Sequence, residues 1–291
     1  MSVWPLAIVG AGPAGIAAAA EAVRLGVRPL LLDATGRPGG TIRIAHEVRN
    51  IPFLGDAVGG ETVVEHLAAF LSRWDVSVEH ARIVRLFEAS EDFALETEEG
   101  VRFVASRVVL ALGTHALYPV IEGLSPGGRH FVGSAPDACA KGIPRRAVVI
   151  GGSDVALDQA RWLGTRGARV EVLARGGVRA PTWLVDAAER DGVFIRRQSR
   201  VLRAEVQGDQ IALTLRCDDD TSSQVVDAVV SAIGRKPVFM EGAPAAIEAH
   251  PGRIRVVGDG TGRRARHVVA ALGDGCVAAA ELLARPAGEL R

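Results

Sequence analysis

Short apolar runs that end at a glycine or an aspartate recur along the chain. Residues 3–9 and 29–32 form the first two such runs, and they end at Gly10 and Asp33. Apolar runs of this length predict strands buried on both faces, as in a parallel sheet. Between them, residues 16–25 are rich in alanine and predict a helix. Strand, helix and strand in this order make one βαβ unit.

The same pattern restarts in the middle of the chain. Residues 147–150 and 170–173 predict two further strands, and residues 157–163 predict the helix between them. A repeated βαβ unit predicts an internal duplication of one nucleotide-binding architecture. We therefore expect an α/β fold with two Rossmann-like, three-layer dinucleotide-binding domains, each with a small antiparallel β-meander. The meanders are expected at residues 76–105 and 199–227, where polar and apolar positions alternate.

The other apolar stretches complete these two units. Helices are predicted over residues 61–74 and 268–283, strands over 108–112, 228–233 and 254–257, and a loop region over 36–60. Each of these strands is followed by a glycine, which permits the sharp turn that follows a parallel strand.

Charge and composition narrow the classes of function. The chain has 291 residues, with 34 Lys and Arg against 34 Asp and Glu. At roughly 150 residues per domain, this length predicts about two domains. A formal net charge of zero argues against a protein that binds nucleic acid or an anionic membrane through charge. No apolar run approaches the roughly 18 residues of a membrane span, and the N-terminus lacks a basic signal-peptide region, so a cytoplasmic protein is expected.

The turn after the first strand carries the strongest chemical signal. It has the sequence GAGPAG, in which Gly10 permits a tight turn, Gly12 lets a diphosphate approach the backbone, and Gly15 lets the helix lie near the sheet. The N-terminus of that helix offers N–H groups and a partial positive charge to phosphates. Asp33, about 20 residues further on, is where an acid accepts hydrogen bonds from ribose hydroxyls. The expected diphosphate-binding residues of this turn are Gly10, Gly12, Pro13, Ala14 and Gly15.

The corresponding turn of the second unit is altered. Gly151 keeps the first glycine position, but Ser153 replaces the second and adds a Cβ and a hydroxyl where a diphosphate would pass. No acid ends the following strand, and Arg175 and Arg179 lie beyond it. Cationic side chains suit a 2′-phosphate, so we expect NADPH rather than NADH, unless this domain is kept only for packing. The expected site residues are Gly151, Ser153, Asp154, Arg175 and Arg179.

Two nucleotide units in this order, followed by Gly258-Asp259 and a terminal helix, resemble the low-molecular-weight thioredoxin reductases within the pyridine nucleotide-disulfide oxidoreductases. The resemblance implies that the first unit binds FAD and the second NADPH. It implies a discontinuous FAD-binding domain of residues 1–112 and 233–291, with an NAD(P)H-binding domain of residues 113–232 inserted between them. Together with the neutral net charge, it also favours a homodimer.

Several short motifs carry this resemblance. The family has a glycine pair that touches the flavin, an Asn near the isoalloxazine ring, a crossover glycine, an acid at the ribityl–phosphate region and an Arg-Gln-aliphatic segment beside the pyrimidine end. Thr41 and His267 each stand where the family usually has Gln. By this resemblance, the further FAD-binding residues are Asp33, Gly40, Thr41, Asn50, Gly113, Gly258, Asp259, Arg266, His267 and Val268.

The chain departs from the family at the redox dithiol. The family's Cys-x-x-Cys would fall at residues 134–137, where Ser134 and Asp137 replace the two cysteines. Thiol–disulfide exchange needs one sulfur to attack and another to resolve, so thioredoxin reduction by the family mechanism is excluded. No metal site is expected either, because the three cysteines have no metal-ligand spacing. They are Cys139, Cys217 and Cys276.

Three hypotheses about function follow. The first is an FAD-dependent reductase that passes electrons from NADPH to an external acceptor, either a protein such as ferredoxin or flavodoxin or a small molecule. The second is an FAD-dependent oxidase or dehydrogenase that acts directly on a small molecule and has lost nicotinamide binding. The third is a non-catalytic flavin- or nucleotide-binding subunit. In an enzyme, His267 and Asp137 are the candidate proton shuttles, because hydride transfer needs an acid or base nearby.

Overall fold

The computed structural model describes residues 2–284. Its helices are α1 (Pro13–Arg24), α2 (Gly60–Arg73), α3 (Ala135–Ala138), α4 (Asp154–Gly164), α5 (Thr182–Arg190), α6 (Ala243–Ala249) and α7 (Val268–Leu283). Its strands are β1 (Val3–Trp4), β2 (Ala7–Val9), β3 (Leu30–Asp33), β4 (Val78–His80), β5 (Ile83–Ala89), β6 (Asp92–Thr97), β7 (Arg102–Ala105), β8 (Val108–Leu110), β9 (Thr114–Ala116), β10 (His130–Val132), β11 (Arg146–Ile150), β12 (Arg169–Leu173), β13 (Phe194–Arg196), β14 (Ser199–Gln207), β15 (Gln210–Cys217), β16 (Asp220–Val226), β17 (Ala228–Ser231), β18 (Arg235–Pro237) and β19 (Ile254–Val256). Short 3-10 turns cover Gly40–Ile44 and Gly258–Thr261.

The chain divides into two compact units. Unit 1 contains the chain up to Arg43, Val48–His115 and the chain from Pro237 onwards, and unit 2 contains Ile44–Glu47 and Ala116–Lys236. Unit 1 has a five-stranded parallel sheet with the order β19-β8-β2-β3-β4. Unit 2 has a second one with the order β10-β17-β11-β12-β13. The α/β fold class predicted from the sequence is confirmed.

Each parallel sheet is covered on both faces. In unit 1, side chains such as Ile8 pack with Ile16 of α1 on one face, where α2 and α7 also contribute. On the other face, Leu32 packs with Leu95 of the meander β5–β7. In unit 2, α4 and α5 cover one face and the meander β14–β16 covers the other. Helices, parallel sheet and meander therefore form three layers in each unit, as the sequence predicts.

The first glycine of each βαβ unit occupies an equivalent position. Gly10 and Gly151 both have positive φ angles, of 108° and 151°. A Cβ on Gly10 would lie 2.2 Å from the carbonyl oxygen of Ala111, and one on Gly151 would lie 2.3 Å from that of Ala232. Each glycine thus lets the turn after its strand lie directly against the end of the strand that follows the meander, β8 in unit 1 and β17 in unit 2. The duplication seen in the sequence is present in the backbone geometry.

Two strand predictions are wrong in their extent. Residues 3–9 form two strands, because β1 joins the meander sheet beside β7 whereas β2 lies in the parallel sheet. Pro5 lies between them, and it has no N–H with which to continue a ladder. Within residues 76–105, β4 is an edge strand of the parallel sheet and only β5–β7 form the meander. A half-buried edge strand alternates like a meander strand, so periodicity alone does not separate them.

Candidate functional site

The N-terminus of α1 is open in front of Gly12. Gly12 caps the helix without a side chain, and Pro13 begins the first turn. A Cβ built on Gly12 would meet no atom of the described residues within 4 Å, whereas one on Gly15 would lie 1.8 Å from the Gly10 oxygen. Gly15 therefore brings the helix against the strand end, and Gly12 leaves the first N–H groups accessible. Such a terminus is suited to hold phosphate groups.

A second glycine pair lies against this turn. The N–H of Gly39 donates to the Ala11 carbonyl at 2.7 Å. A Cβ on Gly40 would be 3.1 Å from the Cα of Gly12. The φ angles of Gly39 and Gly40 are 110° and 55°, a region that other residues rarely adopt. The fold thus brings the predicted Gly40 beside the predicted diphosphate turn, although 27 positions separate Gly40 from Pro13 in the sequence.

The carboxylate of Asp33 is part of the same turn. Its Oδ2 accepts a hydrogen bond from the N–H of Ala11 at 2.9 Å. Its Oδ1 accepts from the N–H and the hydroxyl of Thr35 at 2.7 and 2.6 Å. The sequence predicts that Asp33 accepts hydrogen bonds from ribose hydroxyls, but it did not predict this bond to the glycine turn. A carboxylate has further lone pairs, so both roles are compatible.

The turn that carries Asp259 reaches the same helix. A Cβ on Gly258 would lie 2.9 Å from the Cβ of Ala14, and one on Gly260 would lie 3.5 Å from the nitrogen of Gly113. The N–H of Gly258 donates to Oδ2 of Asp274 on α7 at 3.0 Å. The fold therefore brings the Asp259 turn, the crossover glycine Gly113 and the N-terminal end of α1 close together. The Gly-Asp pattern signalled this turn, but no sequence pattern predicted the hydrogen bond between Gly258 and Asp274.

The other residues predicted to bind FAD lie in unit 1, and their contacts with a ligand stay predictions. Thr41 lies in the Gly40–Ile44 turn, and Asn50 is exposed just after an isolated bridge of Val48 with Val58. Further along the sequence, three consecutive predicted residues lead into α7. Arg266 is half-buried, His267 is the exposed N-cap and Val268 is the first helical residue.

The second glycine turn lies in unit 2. Ser153 is the N-cap of α4, but its hydroxyl accepts no capping hydrogen bond, and the exposed Asp154 accepts from the N–H of Val155 at 2.9 Å. The N–H of Arg179 donates to the Gly152 carbonyl at 2.7 Å. This bond holds the loop after β12 against the turn, and both predicted arginines in that loop are exposed. A ligand there would meet cations from the loop and an acid from the helix.

The residues at the expected dithiol position form a helix cap. The hydroxyl of Ser134 accepts from the N–H of Asp137 at 3.3 Å and begins the short helix α3. Ser134 is buried, whereas Asp137 is exposed at a cleft of about 550 Å³ that Lys141 and Asp209 also line. Burial raises the pKa of the neighbouring Cys139 thiol. These positions therefore stabilise a helix start, and the nearest thiol is held in its unreactive form.

A buried polar cluster joins residues 44–47 to α4 within unit 2. The backbone N–H groups of His46 and Glu47 donate to Asp158 at 2.8 and 3.0 Å. Arg161 donates to Glu47 and to Asp191, both at 2.6 Å. Burial raises the pKa of the Asp158 carboxyl despite these donors. No motif signalled this cluster, because His46 and Glu47 are more than 100 positions away from their partners on α4 in the sequence.

The described residues contain neither a membrane-spanning helix nor a cluster of metal-ligating side chains. Between residues 2 and 284, no helix is long and apolar enough to cross a membrane. Within the same range, no group of three or more His, Cys, Asp and Glu side chains is placed to hold a metal ion.

Sequence comparison matches almost the whole chain to one family. The family model described as pyridine nucleotide-disulphide oxidoreductase matches residues 4–286. Thioredoxin reductase of Escherichia coli O157:H7 is 28% identical over 269 residues, which cover 86% of this chain and 80% of that protein. Glucosaminate ammonia-lyase of Pseudomonas fluorescens is 30% identical over 245 residues, which cover 79% of this chain and 74% of that protein. Thioredoxin reductase of Helicobacter pylori is 30% identical over 162 residues, about half of each chain.

Solved structures match the fold over nearly its full length. Lactococcus lactis thioredoxin reductase in its FR conformation superposes with a TM-score of 0.83 at 22% identity, covering 96% of this chain and 97% of that one. The T. acidophilum thioredoxin reductase superposes with a TM-score of 0.81 at 19% identity, covering 97% of this chain and 98% of that one. At these identities the likeness establishes the two-unit Rossmann-like fold.

Proposed function

Because the chain belongs to the pyridine nucleotide-disulphide oxidoreductase family, a family of flavoprotein oxidoreductases, we propose that it is an FAD-dependent enzyme that passes electrons from NADPH to an external acceptor. It would do so without a redox-active cysteine pair. The acceptor is either a protein such as ferredoxin or flavodoxin or a small molecule. A homodimer and a cytoplasmic location stay predictions from the sequence.

One observation carries the assignment of FAD to unit 1. Two backbone segments, at Gly40 and at Gly258, lie against the N-terminal end of α1 beside Gly12, and each comes this close because it has no side chain. A Cβ at Gly40 or at Gly258 would lie 3.1 or 2.9 Å from its neighbour, whereas Gly12 faces open space. A diphosphate needs such an open set of backbone N–H groups, so the residues fit the cofactor. When bound, FAD would accept a hydride and release electrons singly or in a pair.

The charges of unit 2 support NADPH as the electron donor. Arg175 and Arg179 are exposed beside the second glycine turn, where their guanidinium groups could pair with a 2′-phosphate. NADH lacks that phosphate, so it would gain nothing from these side chains. The hydrogen bond from Arg179 to Gly152 fixes the loop that carries both arginines.

The chemistry at residues 134–137 supports an acceptor outside the chain. Ser134 and Asp137 have no sulfur, and the three cysteines are free thiols rather than a pair. The mechanism that we propose therefore uses no thiol–disulfide exchange by a cysteine pair. His267 and Asp137, both exposed, are the side chains that we propose as proton shuttles.

A second candidate is direct action on a small molecule with nicotinamide binding lost. Ser153 and Asp154 favour it, because they add bulk and negative charge at the second diphosphate position. A relative with 30% identity is named for an ammonia-lyase reaction on glucosaminate, which is a small molecule.

Absorption spectroscopy of the purified protein tests the proposal. The protein should carry FAD, and NADPH added under argon should bleach the flavin faster than NADH does. Ferricyanide should then reoxidise the flavin, whereas thioredoxin should not. A protein that takes up no flavin would overturn the assignment, and one whose flavin is untouched by NADPH would leave direct action on a small molecule or a non-catalytic role.

A further inference from the structure

The turn that carries Asp259 is held by a closed set of polar contacts. The N–H of Gly258 donates to Oδ2 of Asp274 at 3.0 Å, and a guanidinium nitrogen of Arg263 donates to the same oxygen. Nε of Arg263 also donates to the hydroxyl of Thr261 at 3.2 Å. That hydroxyl donates to the Gly258 carbonyl at 2.8 Å. Both backbone polar groups of Gly258 are thus fixed through Asp274 and its partners.

Asp274 is itself fixed relative to α1. Its neighbour Gly275 lies so close to that helix that a Cβ there would be 1.9 Å from the Ala14 oxygen. The carboxylate of Asp274 is mostly buried, at 19% exposure, so water competes little for its hydrogen bonds. Two adjacent residues of α7, Asp274 and Gly275, therefore connect the turn of Asp259 to the N-terminal end of α1.

The geometry points to Asp274 as a positioning residue for the flavin. It would not touch the cofactor. It would hold the Gly258–Thr261 turn so that Asp259 faces the part of FAD beyond the diphosphate. This inference rests on the proposed function, because FAD is the ligand that Asp259 is expected to bind. It predicts that Asp274 matters for the flavin half of FAD and not for its ADP half, which the turn from Gly10 to Gly15 would hold.

Titration of the apoprotein with FAD and with ADP separates these halves. Asp274→Ala should weaken FAD binding about tenfold or more, as expected for lost hydrogen bonds to a charged group, and leave ADP affinity within about twofold. Asp274→Asn keeps an acceptor for Gly258 but loses the charge that pairs with Arg263. Its FAD affinity should therefore lie between those of the wild type and Asp274→Ala. Thr261→Val should also weaken FAD alone, because it removes the bond to the Gly258 carbonyl.

A matched control lies on the same helix. Glu281 of α7 pairs with Arg255 of β19 at 3.3 Å, and neither residue belongs to the Gly258–Thr261 turn, so Glu281→Gln should bind both ligands like the wild type. Equal FAD affinity in Asp274→Ala and wild type would overturn the inference. Equal weakening of FAD and ADP would overturn it too, because it would indicate general damage to the packing of α1 and α7. Wild-type protein that binds no FAD would instead overturn the proposed function.

Discussion

At each glycine turn, single side chains decide what the backbone can offer a ligand. Gly12 leaves the N-terminus of α1 open, whereas Ser153 adds a hydroxyl at the equivalent place in unit 2. Asp154 then adds a negative charge, and the two nearby arginines add positive charge. The balance of these groups predicts a second site that depends on a 2′-phosphate more than on the diphosphate itself. We therefore expect substitutions here to change the preference for NADPH over NADH.

Replacing Arg175 and Arg179 together by Gln should raise the KM for NADPH about tenfold and leave that for NADH within about twofold. The reason is that only NADPH carries the phosphate these side chains would pair with. Steady-state reduction of ferricyanide measures both constants. Arg190→Gln removes an exposed arginine of α5 that is bonded to the Asp186 carbonyl, and it should change neither constant. An equal change for both nucleotides would argue against the site.

At the scale of elements, α7 crosses α1 so closely that Gly275 has no room for a side chain. Ala14, Ala18 and Ala279 pack there in one core cluster. Gly275 approaches the backbone of α1, whereas a Cβ on Gly273 of the same helix would meet no described atom within 4 Å. Small residues thus let α7 bring Asp274 within hydrogen-bond distance of Gly258.

Gly275→Ala should lower the free energy of unfolding by about 1–3 kcal/mol, because the new methyl group collides with the α1 backbone. Gly273→Ala should raise it by about 0.5–1 kcal/mol, because alanine favours the helix and has room. Urea unfolding of the two variants measures the difference. Similar stability changes in both variants would show that close packing at Gly275 is not required.

At the scale of the whole molecule, buried histidines link stability to pH. His130 lies within unit 2, 1% exposed, with Nε2 at 2.6 Å from the hydroxyl of Ser231. Burial lowers the pKa of His130 below its usual 6.5. The pKa of His46 is also lowered, by burial and then by Arg161 and Arg166. The unfolded chain binds these protons more readily, so this stability is present above pH 6.5 and is lost as the pH falls towards the lowered values.

Urea unfolding at pH 7.5, 6.5 and 5.5 should therefore show that the free energy of unfolding of the wild type decreases as the pH is lowered. His130→Asn should be less stable at pH 7.5, since it loses packing, but its stability should fall less steeply. His66→Asn removes an exposed histidine of α2 and should keep the wild-type slope. A His130→Asn slope parallel to the wild type would contradict this assignment.

Local patterns in the sequence determined the βαβ units, the three-layer class and the glycine turns, because strand burial and turn conformation depend on residues close together along the chain. The sequence also determined that the chain has no Cys-x-x-Cys pair. Only the tertiary structure decided that Pro5 divides the first strand between two sheets, that Ser134 caps a helix, and that residues 44–47 join unit 2. It alone brought Asp274 to Gly258, since hydrogen-bond partners distant in sequence are chosen by packing and leave no periodic signal.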